Sequence, residues 1–542
     1  MKKYKLYMEV CKSQKWLILL GIIFMIMNTI ATIRLPFMMN EAIEELFLLS
    51  ENGISKFLFV FLKYIGVYIG QGILNYFSTI IFRRIGNNNT KLLAIKINEK
   101  ILNSKKRVFE KTSQRDIKIV INDDVFNLGE SGILLIYRFF YVILNLVSIT
   151  YYMLRTNIYM TFLAILAFVV MMFIQKNYNN IIAKIIVKGR EKSGDYLYIC
   201  NKVIDDSDEH KKNGAKQYIE NRFNISITQL LEQKFQLCKK TSGLELINLF
   251  FIIINMLIVF VGGSYFVIWG KLSISQLLTF NMYSNTLSTY LSQIPNLFIE
   301  KKEFDISYSR VNNASMIETY KEVSNANNTN EKINNIELRE IEFKYDSNPV
   351  LTGFNGYFET GNIYTIVGAN GTGKTTLINL MTGDYELLSG KIFINNIEEN
   401  MYENKLYYEK CISEFTCNQV LYDDTIYNNI VLGRPADQEK INKICDVVNL
   451  NEWINKLENG LNTRIDEQTS NLSEGQKQKI ALARFLVNEK QVLFLDEMEK
   501  NLDNETKIQV MDYLNKIKEN KIIVLVTHDE YLMEKADINI RL

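Results

Sequence analysis

The chain changes texture along its length. Up to about residue 300 it carries long apolar runs, at 16–38, 56–82, 131–153, 157–175, 243–269 and 272–297, with polar stretches between them. About 20 mostly apolar helical residues cross a bilayer core, so these runs predict six transmembrane helices. The fourth run is short. The sixth is unusually polar, with Asn281, Tyr283, Ser284, Asn285, Ser288, Tyr290, Ser292 and Gln293 among its apolar residues. Polar groups facing lipid are costly, so these are expected to face a central cavity or a partner helix. Segments 83–130 and 176–242 keep a helical period, as in Leu92, Ile95, Ile97, Ile101 and Leu102. Membrane helices are therefore expected to run on well beyond the bilayer.

Residues 321–335 are polar, Asn-rich and aperiodic, which reads as a linker. From 336 short strands alternate with helices: strands at 336–343, 363–367, 492–495 and 522–526, helices at 374–381, 473–487 and 505–517. That alternation predicts a parallel sheet covered by helices. The expected organisation is an α-helical transmembrane bundle over 1–320, a linker over 321–335 and an α/β domain over 336–542.

Charge orients the runs. Lys2, Lys3, Lys5, Lys12 and Lys15 precede the first, and the long segments carry Arg83, Arg84, Lys105, Lys106, Arg107, Lys211 and Lys212. The 39–55 loop instead carries Glu41, Glu44, Glu45 and Glu51. Basic loops stay cytoplasmic, which puts both termini and both long loops inside and three short loops outside. Lys63 and Arg138 lie within runs and are expected either to snorkel to the interface or to meet an anionic cargo. A net charge of +2 argues against nucleic acid as a partner. The 6 Cys, at 11, 200, 238, 411, 417 and 445, have no metal-ligand spacing and read as reduced thiols.

Chemistry concentrates in the C-terminal domain. After the 363–367 strand come Gly368, Ala369, Asn370, Gly371, Thr372, Gly373, Lys374 and Thr375, a complete GxxxxGK[ST] loop, followed by Thr376. Glycines let such a loop curl its N–H groups onto phosphate oxygens, the lysine supplies charge to the outer phosphates, and the Thr375 hydroxyl suits Mg²⁺. The helix that follows points its positive end at the same anion. At 492–497 an apolar strand delivers Asp496 and Glu497. Asp496 is placed to hold the Mg²⁺ shell and Glu497 to polarise a water aimed at the γ-phosphate. Leu472, Ser473, Glu474, Gly475 and Gln476 begin a further helix, where Ser473 also suits a helix N-cap.

Together these three elements strongly resemble the ATP-binding cassette ATPases, whose signature is LSGGQ; Glu474 here replaces the first glycine. With six spans, a linker and the ATPase in one chain, the whole resembles bacterial half-size cassette exporters. The resemblance implies an exporter-type helical bundle fused to a P-loop ATPase, ATP and Mg²⁺ as cofactors, and a second copy of the chain as partner, a heterodimer being the alternative. It implies residence in the cell membrane and export by alternating access. By the same resemblance Tyr345 stacks on adenine, Ser473, Gly475 and Gln476 cap a γ-phosphate held by the other subunit, and Asn501, Leu502 and Asp503 form a dimer-contact loop. His528 would be the switch histidine, catalytic beside Glu497 and Lys374, and Glu467 the acid of the loop before the signature.

One position departs. The family's Mg²⁺-touching glutamine falls at Cys417, and a thiol is a poor ligand for a hard cation; Gln419, two residues on, is the substitute. Weakened or rerouted coupling is expected. Coupling contacts are expected near 112–118 and 207–216. About fifteen residues precede the first run, which argues against a leader-cleaving peptidase domain. Peptide or peptide-like cargo ranks first and lipid or hydrophobic drug second. A catalytically weak cassette acting as a sensor is the reading from another class.

Overall fold

The first three apolar runs lie wholly inside helices longer than a bilayer requires; the fourth and sixth begin one and two residues before theirs, and the fifth continues from its long helix through a π turn, Ile258–Gly262, into the short helix Gly263–Ile268. The computed structural model describes residues 4–111, 114–320, 332–345, 348–416, 420–465 and 472–542. Cys417, Gln419, Glu467 and most of the linker fall outside them. Two compact units emerge: Met1–Lys100 with Arg115–Met316, and Ile101–Gln114 with Ile317–Leu542.

The first unit holds six long helices: Lys15–Phe47, Leu49–Leu102, Val125–Thr156, Ile158–Asp205, Lys216–Leu257 and Ile274–Ser315. The second runs for 54 residues and the fourth for 48, more than twice the span of a bilayer core. Among the described residues five helices are long and apolar enough to cross a membrane, beginning at Lys15, Ile54, Ile117, Ile158 and Lys216. The sixth long helix has the length, 42 residues, without the apolar composition.

Its polar side chains are largely committed to neighbouring helices. The Tyr283 hydroxyl donates to the Ile33 carbonyl at 3.1 Å, Asn255 donates to the Ser284 hydroxyl at 2.7 Å, and the Tyr290 hydroxyl donates to that of Tyr141 at 3.2 Å. In a medium without water, polar groups must find partners inside the protein. Of the two expected settings, a neighbouring helix holds for these residues. Asn285 alone of the set is exposed. Close approach elsewhere depends on glycine: a Cβ at Gly129 would lie 2.5 Å from the Thr90 backbone, so the third helix meets the second nearly backbone to backbone. Arg138 is held by Glu300 at 2.6 Å, which removes it as a free contact for an anionic cargo. Lys63 lies over the Phe59 ring, 4.2 Å from its centroid.

The second unit is built on two main sheets. Strands β1 (Asn335–Tyr345), β2 (Asn348–Glu359), β4 (Ser389–Ile394) and β5 (Ile397–Glu399) form an antiparallel sheet in the order β2-β1-β4-β5. Strands β3 (Ile363–Val367), β6 (Ile412–Phe415), β9 (Val492–Asp496), β10 (Ile522–Val526) and β11 (Ile538–Arg541) form a parallel one, ordered β11-β3-β10-β9-β6. A two-residue pair, β7 (Asp424–Thr425) and β8 (Arg464–Ile465), stands apart. Alternate residues of the parallel strands enter different cores. Leu493, Leu495, Ile523 and Leu525 face one; Val492, Phe494, Val524 and Val526 face the other. Burial on both faces explains why these strands read as continuous apolar runs in the sequence.

Candidate functional site

The register of the parallel sheet assembles the site. β10 lies between β3 and β9, with Val526 opposite Ile366 on one side and Asp496 on the other. The carboxyl ends of three adjacent strands thus deliver Gly368, Asp496 and His528 to one edge, where ligands gather in open α/β sheets.

After β3 the chain turns through Gly371 and Gly373 with φ of +86° and +96°, values that glycine tolerates without a steric penalty. Gly373 caps the helix Lys374–Met381. Lys374 is buried, and its ammonium donates to the Gly368 carbonyl at 2.7 Å and the Ala369 carbonyl at 3.1 Å. The same nitrogen lies 3.0 Å from His528 Nε2. The Thr375 hydroxyl donates to Asp496 Oδ2 at 2.8 Å. Burial pushes the Asp496 carboxyl above the usual carboxylate range and Glu497 adds to this, while Thr375 and Lys374 pull it down. A divalent cation beside Asp496 would favour its charged form. The donor set of hydroxyl and carboxylate oxygens suits Mg²⁺ and not a soft metal.

Glu497 follows at the strand exit with φ of +50°, left-handed for a residue with a side chain, and its N–H donates to the Val526 carbonyl at 2.9 Å. Such strain persists only where surroundings impose it. Here the hydrogen bond to β10 holds the backbone, and the carboxylate lies 4.0 Å from the Lys500 ammonium. Asn501 repeats the left-handed conformation at +62°. Behind His528, the Thr527 hydroxyl donates to Glu499 Oε1 at 2.5 Å, and the His528 N–H approaches the same oxygen at 3.4 Å. Glu499 is thus the support of the histidine loop.

Lys374 lies against His528 and its neighbour Thr375 against Asp496, with Glu497 adjacent. Tyr345 is tied in loosely: its hydroxyl is 3.4 Å from that of buried Thr376, and its ring meets Tyr385 edge-on at 5.4 Å. It also meets Phe343 at 4.9 Å, and about a third of the residue stays exposed. Asn370 and Gly371 form the exposed crest of the loop.

The signature residues form a separate group. Ser473 caps the helix Glu474–Val487 in a reciprocal box: its hydroxyl accepts from the Gln476 N–H at 3.2 Å, and its own N–H donates to Gln476 Oε1 at 2.9 Å. A Cβ at Gly475 would lie 3.0 Å from the Asn501 carbonyl, so glycine keeps the signature turn against the 501–503 loop. The Gln476 side chain is spent on the cap, and the exposed Ser473 hydroxyl marks the free end of the helix. Asp503 caps the next helix, Asn504–Ile517, and meets Lys479 at 2.6 Å.

Sequence reasoning missed Lys106. Within the second unit its ammonium donates to Asn379 Oδ1 at 2.8 Å and Asp384 Oδ2 at 3.0 Å, close to the end of the phosphate-loop helix. Lys405 also pairs with Asp384. Partly buried Glu414 faces the same group, and its burial pushes the carboxyl above the usual range, countered by Lys106 and Lys405. A folded-state pKa raised above the unfolded value means that protonation stabilises the fold, and this contribution is lost as pH rises through the folded pKa. Glu414→Gln is therefore expected to raise the melting temperature by about 2 °C at pH 8. Little gain is expected near pH 5. Thermal unfolding at both pH values tests this, and an equal shift at both would contradict it. Only the basic run 105–107 hinted at such a role.

Comparison with known proteins agrees with this architecture. Residues 18–291, just over half of the chain, match the ABC transporter transmembrane region, and residues 351–500 match the ABC transporter family. The chain is 27% identical over 315 residues to the alpha-hemolysin translocation ATP-binding protein HlyB of Escherichia coli O157:H7, covering 57% of this chain and 42% of that protein. It is 29% identical over 323 residues to the multidrug resistance-like ATP-binding protein MdlA of Buchnera aphidicola, covering 58% and 55%. It is 32% identical over 209 residues to the ATP-dependent lipid A-core flippase of Vibrio vulnificus, covering 37% and 35%. The matched region thus spans about half or less of these relatives. A solved bacterial Atm1-family ABC exporter with ATP bound shares the fold, with a TM-score of 0.86 at 19% identity over 97% of this chain and 94% of that one. With both halves matched in the expected order, the chain belongs to the ABC transporter family.

Proposed function

We propose that this protein is an ATP-driven exporter that works as a dimer in the cell membrane. Convergence of Lys374, Thr375, Asp496 and His528 at the ends of β3, β9 and β10 carries the reading, because it supplies phosphate charge, hard oxygen donors and a γ-phosphate sensor at one edge. Mg²⁺, held by Thr375 and Asp496, would neutralise phosphate charge. Glu497 would take the proton of the attacking water. The exposed Ser473 and the Gly475 turn supply an anion-binding helix end for the nucleotide of a second copy. Clamping ATP between two copies would then tilt the membrane helices. A homodimer suffices, since one chain carries both halves of the composite site.

For the cargo, a peptide or peptide-like natural product is supported by the alpha-hemolysin translocation relative. A lipid is supported by the flippase relative. Termini and ATPase facing the cytoplasm are supported by the basic loops. A sensor lacking turnover is opposed by the intact Lys374, Asp496, Glu497, Ser473 and His528. The full chain reconstituted in lipid should hydrolyse ATP in a vanadate-sensitive way, faster with cargo. Absence of vanadate-sensitive turnover would end the exporter reading and favour the sensor.

A further inference from the structure

His528 is exposed, so close packing does not fix it. Among the described residues two polar partners hold it: its Nε2 lies 3.0 Å from the Lys374 ammonium, and its backbone N–H reaches Glu499 Oε1 at 3.4 Å. The outer phosphates of a nucleotide would claim the Lys374 ammonium. Glu499 is then the remaining hydrogen-bond partner of the histidine.

Glu499 stands in a segment, 497–503, that is fastened to two motifs. On the signature side Gln478 donates to the Met498 carbonyl at 3.4 Å, and Lys479 meets Asp503 at 2.6 Å. On the histidine side the Glu497 N–H donates to the Val526 carbonyl at 2.9 Å, and the buried Thr527 hydroxyl donates to Glu499 Oε1 at 2.5 Å. That hydroxyl in turn accepts from the Asp529 N–H at 2.9 Å, and Asp529 is held by Lys507 at 2.6 Å. Residues 527–529 are thus strung between Glu499 and Lys507, with His528 in the middle. Glu499 Oε2, by contrast, is buried and has no hydrogen-bond partner among the described residues. Buried polar atoms normally have partners, so a carboxylate with one bare oxygen is a costly way to stabilise a loop. All that it holds passes through Oε1.

We infer that Glu499 is a positioning residue for ATP hydrolysis: its Oε1 holds Thr527 and the His528 backbone so that the histidine ring meets the γ-phosphate once a nucleotide engages Lys374. The inference rests on the ATPase reading of the site and adds to it a residue outside the phosphate loop, the Asp496–Glu497 pair and the signature. Glu499 acts through His528 and not on the reacting atoms. A shift of about 1 Å in a positioned group costs on the order of 10²-fold in rate, and such a shift is what loss of the Oε1 contacts permits.

The full chain in lipid nanodiscs should be assayed for kcat and KM of ATP hydrolysis. Glu499→Ala should lower kcat by about 10²-fold. Its KM should stay within about threefold of wild type, because Lys374 and the phosphate loop still bind the nucleotide. Glu499→Gln should keep kcat within about threefold, since an amide oxygen accepts the same two donors. Thr527→Val removes only the hydroxyl that Glu499 holds and should lower kcat by about tenfold. The double variant, Glu499→Ala with Thr527→Val, should be no slower than Glu499→Ala, as expected of two residues acting through one contact. Wild-type kcat in the alanine variant, a glutamine variant as slow as alanine, additive losses in the double variant, or a KM that rises in step with the fall in kcat would each overturn the role. Should the alanine chain melt below the assay temperature, Thr527→Val decides alone, and an unchanged kcat there overturns it too. A wild-type chain without turnover would instead remove the ATPase reading itself, which no result on the variants can mimic.

Discussion

Glu497→Gln should slow ATP turnover by about 10²–10⁴-fold, the usual range for loss of a positioned general base, while leaving nucleotide binding in place. The substitution keeps the shape of the side chain and its left-handed backbone, which the Glu497 N–H to Val526 hydrogen bond holds at 2.9 Å. What it removes is the ability to accept a proton. Asp496, one residue earlier, is committed to the Thr375 hydroxyl and cannot stand in. Because the amide still fits, ATP should bind, close the two copies and persist unhydrolysed. Single-turnover hydrolysis and the amount of ATP co-purifying with the protein test both halves of this expectation. Turnover within about threefold of wild type would remove Glu497 from the role of base.

Lys374→Ala acts earlier in the cycle. Its ammonium is buried and held by two loop carbonyls, at 2.7 and 3.1 Å, so its charge sits where the outer phosphates of a nucleotide would lie. A charge-assisted hydrogen bond is worth about 1.5–3 kcal/mol, and loss of one or two such bonds predicts ATP affinity and turnover about 10- to 10⁴-fold lower. Lys374→Arg is not expected to rescue, since a cage of loop carbonyls suited to a compact ammonium does not fit a planar guanidinium. Equilibrium ATP binding beside the hydrolysis rate is the check. Wild-type affinity in the alanine variant would contradict the placement of the phosphate site.

Lys374 and Glu497 both lie in motifs that the chain announces locally. The phosphate loop was legible because its chemistry is local. Glycines at 371 and 373 encode the turn, Lys374 and Thr375 follow within two residues, and an apolar strand precedes them. The Asp496–Glu497 pair and the Ser473 cap were legible for the same reason. Lys106 was not, because its partners Asn379 and Asp384 lie more than 270 residues away. Glu499 was not either, since only the neighbouring β9 and β10 strands bring it under Thr527. In the sixth long helix the polarity was plain, but its target was not. Periodicity shows that Tyr283, Ser284 and Tyr290 share a helix, not that Ile33, Asn255 and Tyr141 await them.

By itself, then, the sequence determined six long helical segments in the first half, four strands and three helices of the C-terminal half in their order, and the local turns and caps around Lys374, Ser473 and Asp496. Those properties depend on hydrophobic period, backbone torsion and neighbours a few positions apart. Tertiary structure alone decided the strand order that gathers Lys374, Asp496 and His528 and the pairing that occupies Arg138. Such features arise from contacts between distant segments, which no local pattern specifies, because a side chain's electrostatic and packing partners are set by where the chain returns in space.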